Sequence, residues 1–227
     1  MPSQTFFNLP ETKRETITKI AIAEFASNDY DSASITKIVK QAKIAKGSFY
    51  QYFEDKKELY LYLVNLATQQ KITFLQAVKP PEPQMEFFSY LRWLFSVETK
   101  FELTYPALSQ ILYRTVYGDL SFREEVLSMT QASSNEYIKQ LVYQGIDRGD
   151  ITNKIDPDMA VFVINTLGEG LRNFIPAKLG LDTQQLAEKG VATDIDLKAV
   201  EQIFDNLFYI LEQAQETWVF QSVGCGV

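Results

Sequence analysis

Apolar residues recur along this chain at steps of three and four, the period of an amphipathic helix. Thr12 with Glu15 three residues on has the form of a capping box, and Ile17, Ile20, Ala21 and Phe25 then mark one face of a first helix. Asn28, Asp29, Tyr30 and Asp31 end it. Ser34 is a good N-cap for a short second helix, whose Ile35, Ile38, Val39 and Ala42 share a face. A break at Lys43-Ile44 precedes a third segment from Ala45 to Tyr52. Glu54 and Asp55 open a long helix to about Val78, with acidic residues where the helix dipole favours them. The run Lys79-Pro80-Pro81-Glu82-Pro83 interrupts any helix. Helical patterns resume over about 84–100, 105–117, 121–148, 157–178 and 195–217, with Pro106 and Pro157 suited to first turns. Gly149-Asp150 fits a helix stop and Pro176 marks the end of another, while 179–194 reads as a loop. No alternating strand pattern occurs. The expected fold is all-α: a three-helix head over 1–54, then a larger helical body over 55–227 that begins with a connecting helix.

Composition agrees with that reading. The 227 residues are 46% hydrophobic, and only 10 Gly and 8 Pro leave little for the tight turns of a β-sandwich. The chain holds no histidine, which removes His-based nucleophile pairs, His general bases and His-ligated zinc. Its one cysteine, Cys225, excludes an intrachain disulfide or a Cys cluster, and a reducing cytoplasm is the natural compartment. No catalytic constellation, phosphate loop or metal cluster is visible, so neither an enzyme nor a bound cofactor or metal is expected. No stretch is apolar enough to span a membrane, and the N-terminal residues lack the form of a signal peptide.

Charge changes the picture more. The net charge is −7, which argues weakly against a nucleic-acid partner. Yet Lys37, Lys40, Lys43, Lys46, Lys56 and Lys57 crowd one short window against only Glu54 and Asp55. A locally basic head sits on an acidic body.

Two short helices around a tight break, preceded by a longer one, make a helix-turn-helix. The third segment is too short to be stable alone, so Ile44, Phe49 and Phe53 must pack it onto the first two. Its other side carries Lys46, Ser48, Tyr50, Gln51 and Tyr52: a cation, hydroxyls and an amide suited to base edges in a major groove and to phosphates. Lys56 is a further candidate for phosphate, and the start of the Ser34 helix offers backbone N–H groups and a hydroxyl. Gly47 lets the backbone approach DNA closely. A lysine run alone reads as a solvated face; its conjunction with this spacing and Gly47 points to DNA.

In this stretch the chain resembles the TetR/AcrR family of bacterial transcription regulators. Ser34, Ile38, Ala42, Ile44, Gly47, Phe49, Tyr50, Tyr52, Phe53, Lys56 and Leu59 fall in register with the family pattern without a gap. The resemblance covers about residues 10–60. It implies phosphate or base contacts at Ser34, Thr36, Lys46, Gly47, Ser48, Tyr50, Gln51, Tyr52 and Lys56. Two positions depart. Lys43 stands where the family prefers Gly, so it must avoid or tolerate a positive φ. Ala45 replaces the usual Ser or Thr cap, at about 1 kcal/mol of helix stability.

One helix-turn-helix buries too little surface for specific binding, so a homodimer on a two-fold or pseudo-palindromic operator is expected. The last two helices, about 157–217, are the candidate interface. Val163, Leu167, Leu171 and Phe174 line one, with Gly168 and Gly170 allowing close approach; Val200, Ile203, Phe204, Leu207, Phe208 and Leu211 form a broad stripe on the other. The alternative is that these faces pack inward as monomer core. The aromatic-rich middle helices carry polar groups at helical spacing. Tyr90, Trp93, Gln110, Tyr113, Arg114, Tyr117, Asn165 and Glu169 are candidates to line a pocket for an apolar or amphipathic small molecule. Asn165, Glu169 and Arg172 either line that pocket or rim the dimer. The function expected is a ligand-responsive DNA-binding repressor. The competing reading is a helical carrier of a hydrophobic ligand with no DNA role, which the lysine cluster opposes.

Overall fold

The structure, a computed structural model, describes residues 1–82, 84–181 and 196–223, the side chains of 128–135 and 214–223 apart. Its described secondary structure is helical throughout: α1 (Gln4–Phe7), α2 (Glu11–Ser27), α3 (Ile35–Gln41), α4 (Lys46–Tyr52), α5 (Lys56–Ala77), α6 (Phe87–Thr104), α7 (Pro106–Tyr117), α8 (Arg123–Arg148), α9 (Pro157–Lys178) and α10 (Leu197–Val223). The expected loop at 179–194 lies mostly outside the described residues, as does Cys225.

Two compact units share these helices. One comprises Met1–Ala77 and Phe101–Gln131; the other comprises Val78–Lys100, Ala132–Leu181 and α10. The first holds a core of Phe6, Ile17, Ala21, Phe25, Ile38, Phe49, Phe53, Leu59, Tyr60, Leu63 and Ile111, among others. Residues 55–77 therefore pack with 1–54 in one core. In the same unit α7 packs on both α2 and α5. Tyr60 ties it there: its hydroxyl lies 3.0 Å from Thr115 Oγ1, both side chains being buried. In the second unit α6 meets α10 through the Phe95–Phe208 ring pair and through Arg92, which bonds Glu201 and Asp205.

The helix ends explain where the elements fall. The motif expected at Thr12 is not used. Pro10 occupies the cap position of α2 with φ −50° and no side-chain bond, and Thr12 lies inside the first turn. Proline presets the backbone for helix entry, so the helix starts before the hydroxyl is reached. Ser34 does cap α3, its Oγ accepting from the Lys37 N–H at 3.3 Å. Asp55 and Glu58 cap the start of α5: Asp55 Oδ1 accepts from the Glu58 N–H and Glu58 Oε2 from the Glu54 N–H, each at 2.7 Å. Three helices end alike. The chain turns left-handed at Lys43 (φ 53°), Gly149 (φ 81°) and Gly180 (φ 67°). The next N–H then reaches back to an earlier carbonyl: Ile44 to Val39 O, Asp150 to Gly145 O, Leu181 to Pro176 O. Pro176 is not the stop expected of it. It lies within α9, which runs on to Lys178 and closes at Gly180.

Candidate nucleic-acid interface

The turn between α3 and α4 is one of these three stops, with lysine in the place glycine usually fills. Lys43 carries the positive φ while the Ile44 side chain packs against the core. The left-handed conformation costs a non-glycine residue about 1–2 kcal/mol. Ala45 then precedes α4 without a side-chain cap. Helix α4 is held instead by what it buries: Phe49 and Phe53 are each 1% exposed.

With those rings inside, Lys46, Gly47, Tyr50 and Gln51 are exposed, and Ser48 is half-buried. Tyr50 stands on the edge of the Phe49 ring, which fixes its direction. No carboxylate occurs anywhere in α4. A Cβ at Gly47 would meet nothing within 4 Å. The fold itself therefore has no steric need for glycine there. On α3, Thr36, Lys40 and the turn residue Lys43 are exposed, while Ser34 is half-buried at the cap.

Two residues expected on this face are engaged elsewhere. Tyr52 is only 5% exposed, in the head core beside Phe6. Its position, one helical turn after Phe49, directs it toward the core. The Lys56 ammonium donates to the Asp31 and Ala33 carbonyls at 3.1 and 3.3 Å and lies over the Tyr30 ring. It holds the α2–α3 loop. Conversely, Glu24 escaped notice in the sequence. It is 5% exposed, accepts the Ser34 N–H at 3.1 Å and pairs with Lys37 at 2.9 Å. A carboxylate buried among apolar neighbours persists only with such partners. The available signal was its place in the stripe of Ile17, Ala21 and Phe25.

The residues expected to line a ligand pocket are divided. Tyr90, Trp93, Asn165 and Glu169 belong to one unit; Gln110, Tyr113, Arg114 and Tyr117 belong to the other. Tyr90 and Trp93 are half-buried, their rings 5.2 Å apart, and the Tyr90 hydroxyl bonds that of Tyr137. Burial, then that bond, raises the Tyr90 pKa above the phenol range. Arg114 serves the fold. Its Nη1 donates to Phe25 O at 3.0 Å, near the C-terminal end of α2, and its Nε faces Asp29 at 3.6 Å. The Tyr113 and Tyr117 rings meet at a tilt of 41°, their centroids 4.8 Å apart. Tyr117 also borders an open groove of about 880 Å³, lined largely by polar and charged residues from Lys57 and the α7–α8 turn.

The last two helices present the second notable surface. Met159, Phe162, Val163 and Phe174 on α9, and Tyr209 and Ile210 on α10, are 43–64% exposed. The stripes drawn from sequence straddle this boundary. Leu171, Val200, Phe204 and Phe208 are core, whereas Val163 and Phe174 face out. Helix α9 is apolar on two sides, so periodicity alone cannot say which side is covered. Gly168 backs onto Phe95, while Gly170 is open. Glu169 shares the exposed side with Phe162 and Thr166.

A short carboxylate-free helix, set by a tight turn against a supporting helix and presenting a cation, an amide and a hydroxyl, defines a helix-turn-helix DNA-binding protein. Comparison with known proteins makes this particular. The profile of bacterial regulatory proteins of the tetR family matches residues 17–63, and that of the tetracyclin repressor-like C-terminal domain matches 85–180. A TetR family transcriptional regulator from Chloroflexus aurantiacus J-10-FL has 41% sequence identity and a TM-score of 0.83, covering 94% of this chain and 98% of that one. The probable acrEF/envCD operon repressor of Escherichia coli K12 is 24% identical over 195 residues, 82% of this chain and 86% of the repressor. The regulator FadR from Bacillus subtilis, solved with stearoyl-CoA, shares the fold at 18% identity and a TM-score of 0.58, covering 77% and 94%. This chain belongs to the TetR family and is a DNA-binding transcriptional regulator. Among the described residues no helix is long and apolar enough to cross a membrane.

Proposed function

We propose that the protein is a repressor that binds a two-fold or pseudo-palindromic operator as a homodimer and leaves it when an apolar or amphipathic small molecule binds the body. One observation carries the DNA reading: Lys46, Gly47, Tyr50 and Gln51 are exposed together on a helix without carboxylate. In this reading α4 enters the major groove. Gln51 reads a base edge, Lys46 and Tyr50 meet phosphates, Ser48 adds a hydroxyl, and the bare Gly47 lets the backbone come close. Ser34 and Thr36 at the start of α3 take an adjoining phosphate.

The dimer reading rests on the exposed apolar stripe of α9 and α10. Large apolar surface of this kind marks an interaction site. Glu169 would lie at its rim. The ligand reading is supported by the half-buried Tyr90–Trp93 pair and by a fold shared with a regulator solved with stearoyl-CoA. A ligand acts only by its differential affinity for two arrangements.

The test is selection of duplexes from a random library by the purified full chain, followed by titration of an enriched duplex. Two protomers per duplex and an inverted-repeat consensus are expected. Absence of any enriched sequence would defeat the operator reading. Fatty acids, acyl thioesters and aromatic compounds added to the complex should include one that releases the duplex and changes tryptophan fluorescence. Release without any change in binding by Trp93→Ala would move the ligand site elsewhere.

A further inference from the structure

Helix α4 has seven residues and no N-terminal side-chain cap, so its stability must come from contacts outside it. Its last carbonyls have no partner within the helix. The N-terminal segment supplies two. The Ser3 hydroxyl donates to Gln51 O at 2.6 Å, and the Ser3 N–H donates to Tyr52 O at 2.9 Å. The same hydroxyl accepts from the Phe6 N–H at 3.3 Å, capping α1. One side chain thus closes the start of one helix and the end of another.

The segment is anchored rather than draped. Phe6 is fully buried, and its ring centroid lies 4.8 Å from that of Phe53, 5.5 Å from Tyr62 and 6.0 Å from Tyr52. Two of those rings sit at the C-terminal end of α4. The polar and apolar contacts of residues 3–6 therefore converge on the end of α4 that carries Gln51.

We infer that Ser3, seated by Phe6, is a positioning residue for DNA reading: it fixes the last turn of α4 and hence the direction of the Gln51 side chain. The inference rests on α4 as the recognition helix. A glutamine discriminates bases only when its two amide atoms meet one base edge together, so a loosened backbone at residue 51 costs selectivity before it costs general affinity. Phosphate attraction by Lys46, at the other end of α4, tolerates that loosening.

The experiment uses the full chain with two probes: a duplex enriched by the wild-type protein and a scrambled duplex of equal length. Ser3→Ala removes the hydroxyl bonds. Ser3→Pro also removes the N–H, at a residue whose φ of −65° already suits proline. Ser3→Thr keeps both. Affinity for the enriched duplex should fall about three- to tenfold in Ser3→Ala, the size of one hydrogen bond, and further in Ser3→Pro. Affinity for the scrambled duplex should hold, and Ser3→Thr should restore selectivity. Base preferences selected by Ser3→Ala should relax at the position that Gln51→Ala also relaxes. Equal loss on both duplexes, or no loss in Ser3→Pro while Gln51→Ala relaxes selection, would overturn the role of Ser3. If neither Gln51→Ala nor Lys46→Ala alters binding, α4 itself is not the reader and the inference falls with it.

Discussion

Two exposed surfaces of this protein differ in kind. The outer side of α4 shows a cation, an amide and a phenol on a buried aromatic base. The outer side of α9 and α10 shows Phe162, Phe174, Tyr209 and Ile210, each more than half exposed. The first surface is stable in water as it stands. Its groups are hydrated, and in the proposed reading they exchange that water for phosphate and base edges. The second is not, because large apolar side chains lose free energy to water until they are covered. Exposure marks both surfaces, but chemistry separates the partners proposed for them: a polyanion for one, another apolar helix face for the other.

The widest separation is expected between α9–α10 residues on opposite sides of that boundary. Phe204→Ala should destabilise the protein by about 3–5 kcal/mol, since the ring is fully buried. Phe162→Glu should leave the melting temperature of the protomer near that of wild type while halving the mass seen by light scattering. A folded, dimeric Phe162→Glu would place the interface elsewhere.

On the α4 surface, Gln51→Ala should lose about 1–3 kcal/mol of discrimination at one base pair. Lys46→Ala should weaken binding to all duplexes alike and lower the slope of log affinity against log salt by about one. Titrations at several salt concentrations distinguish the two; an unchanged slope would remove Lys46 from the phosphate contacts.

Lys43→Gly should stabilise the protein by about 1 kcal/mol by relieving the left-handed lysine, as read by denaturant unfolding. A loss of stability would mean that the lysine makes a compensating contact. Gly47→Ala is expected to leave stability unchanged or raise it by up to about 1 kcal/mol, because a Cβ there meets nothing. Operator affinity should nonetheless fall. If affinity holds, the backbone at Gly47 does not approach DNA.

The smallest effect concerns pH. Burial pushes the Glu201 carboxyl up, but hydrogen bonds from Lys100 and Ser96 and the charges of Lys100 and Arg92 outweigh it and hold the pKa below the ordinary 4.5. A lowered folded pKa means stability that is present above the ordinary value and lost as pH falls through the folded one. Glu201→Gln should therefore be less stable than wild type at neutral pH, with the gap closing as pH falls below the ordinary 4.5. A gap independent of pH in thermal melts would assign Glu201 to packing alone.

Much of this was legible in the sequence. The period of apolar residues located the helices, because one covered side is enough to write a three-and-four spacing. Ser34 announced its own cap, since capping depends on local chemistry. The left-handed turn at Lys43 and the missing cap at Ala45 were legible only through the resemblance, where the family has Gly and Ser or Thr. The segment Gln4–Phe7 was not visible: a single turn carries no period, and its phenylalanine is placed by Phe53 and Tyr62, far along the chain. Glu24 was hidden in the same way, because its partners Ser34 and Lys37 lie beyond the end of its helix.

What the sequence alone determined, then, is the helices after α1, the turn between α3 and α4, and the basic character of the head. Those follow from interactions within a few residues. Only the tertiary structure decided which lysines and aromatics serve the fold and which stay open. Lys56 and Tyr52 fit the pattern of a DNA-facing surface as well as Lys46 and Tyr50 do, yet Lys56 is engaged by the Asp31 and Ala33 carbonyls and Tyr52 is buried beside Phe6. Phe204 and Phe162 belong to equally apolar stripes, yet one is covered and the other is not. A helix records in its sequence that a side is apolar; whether that side is covered depends on which distant segment packs against it.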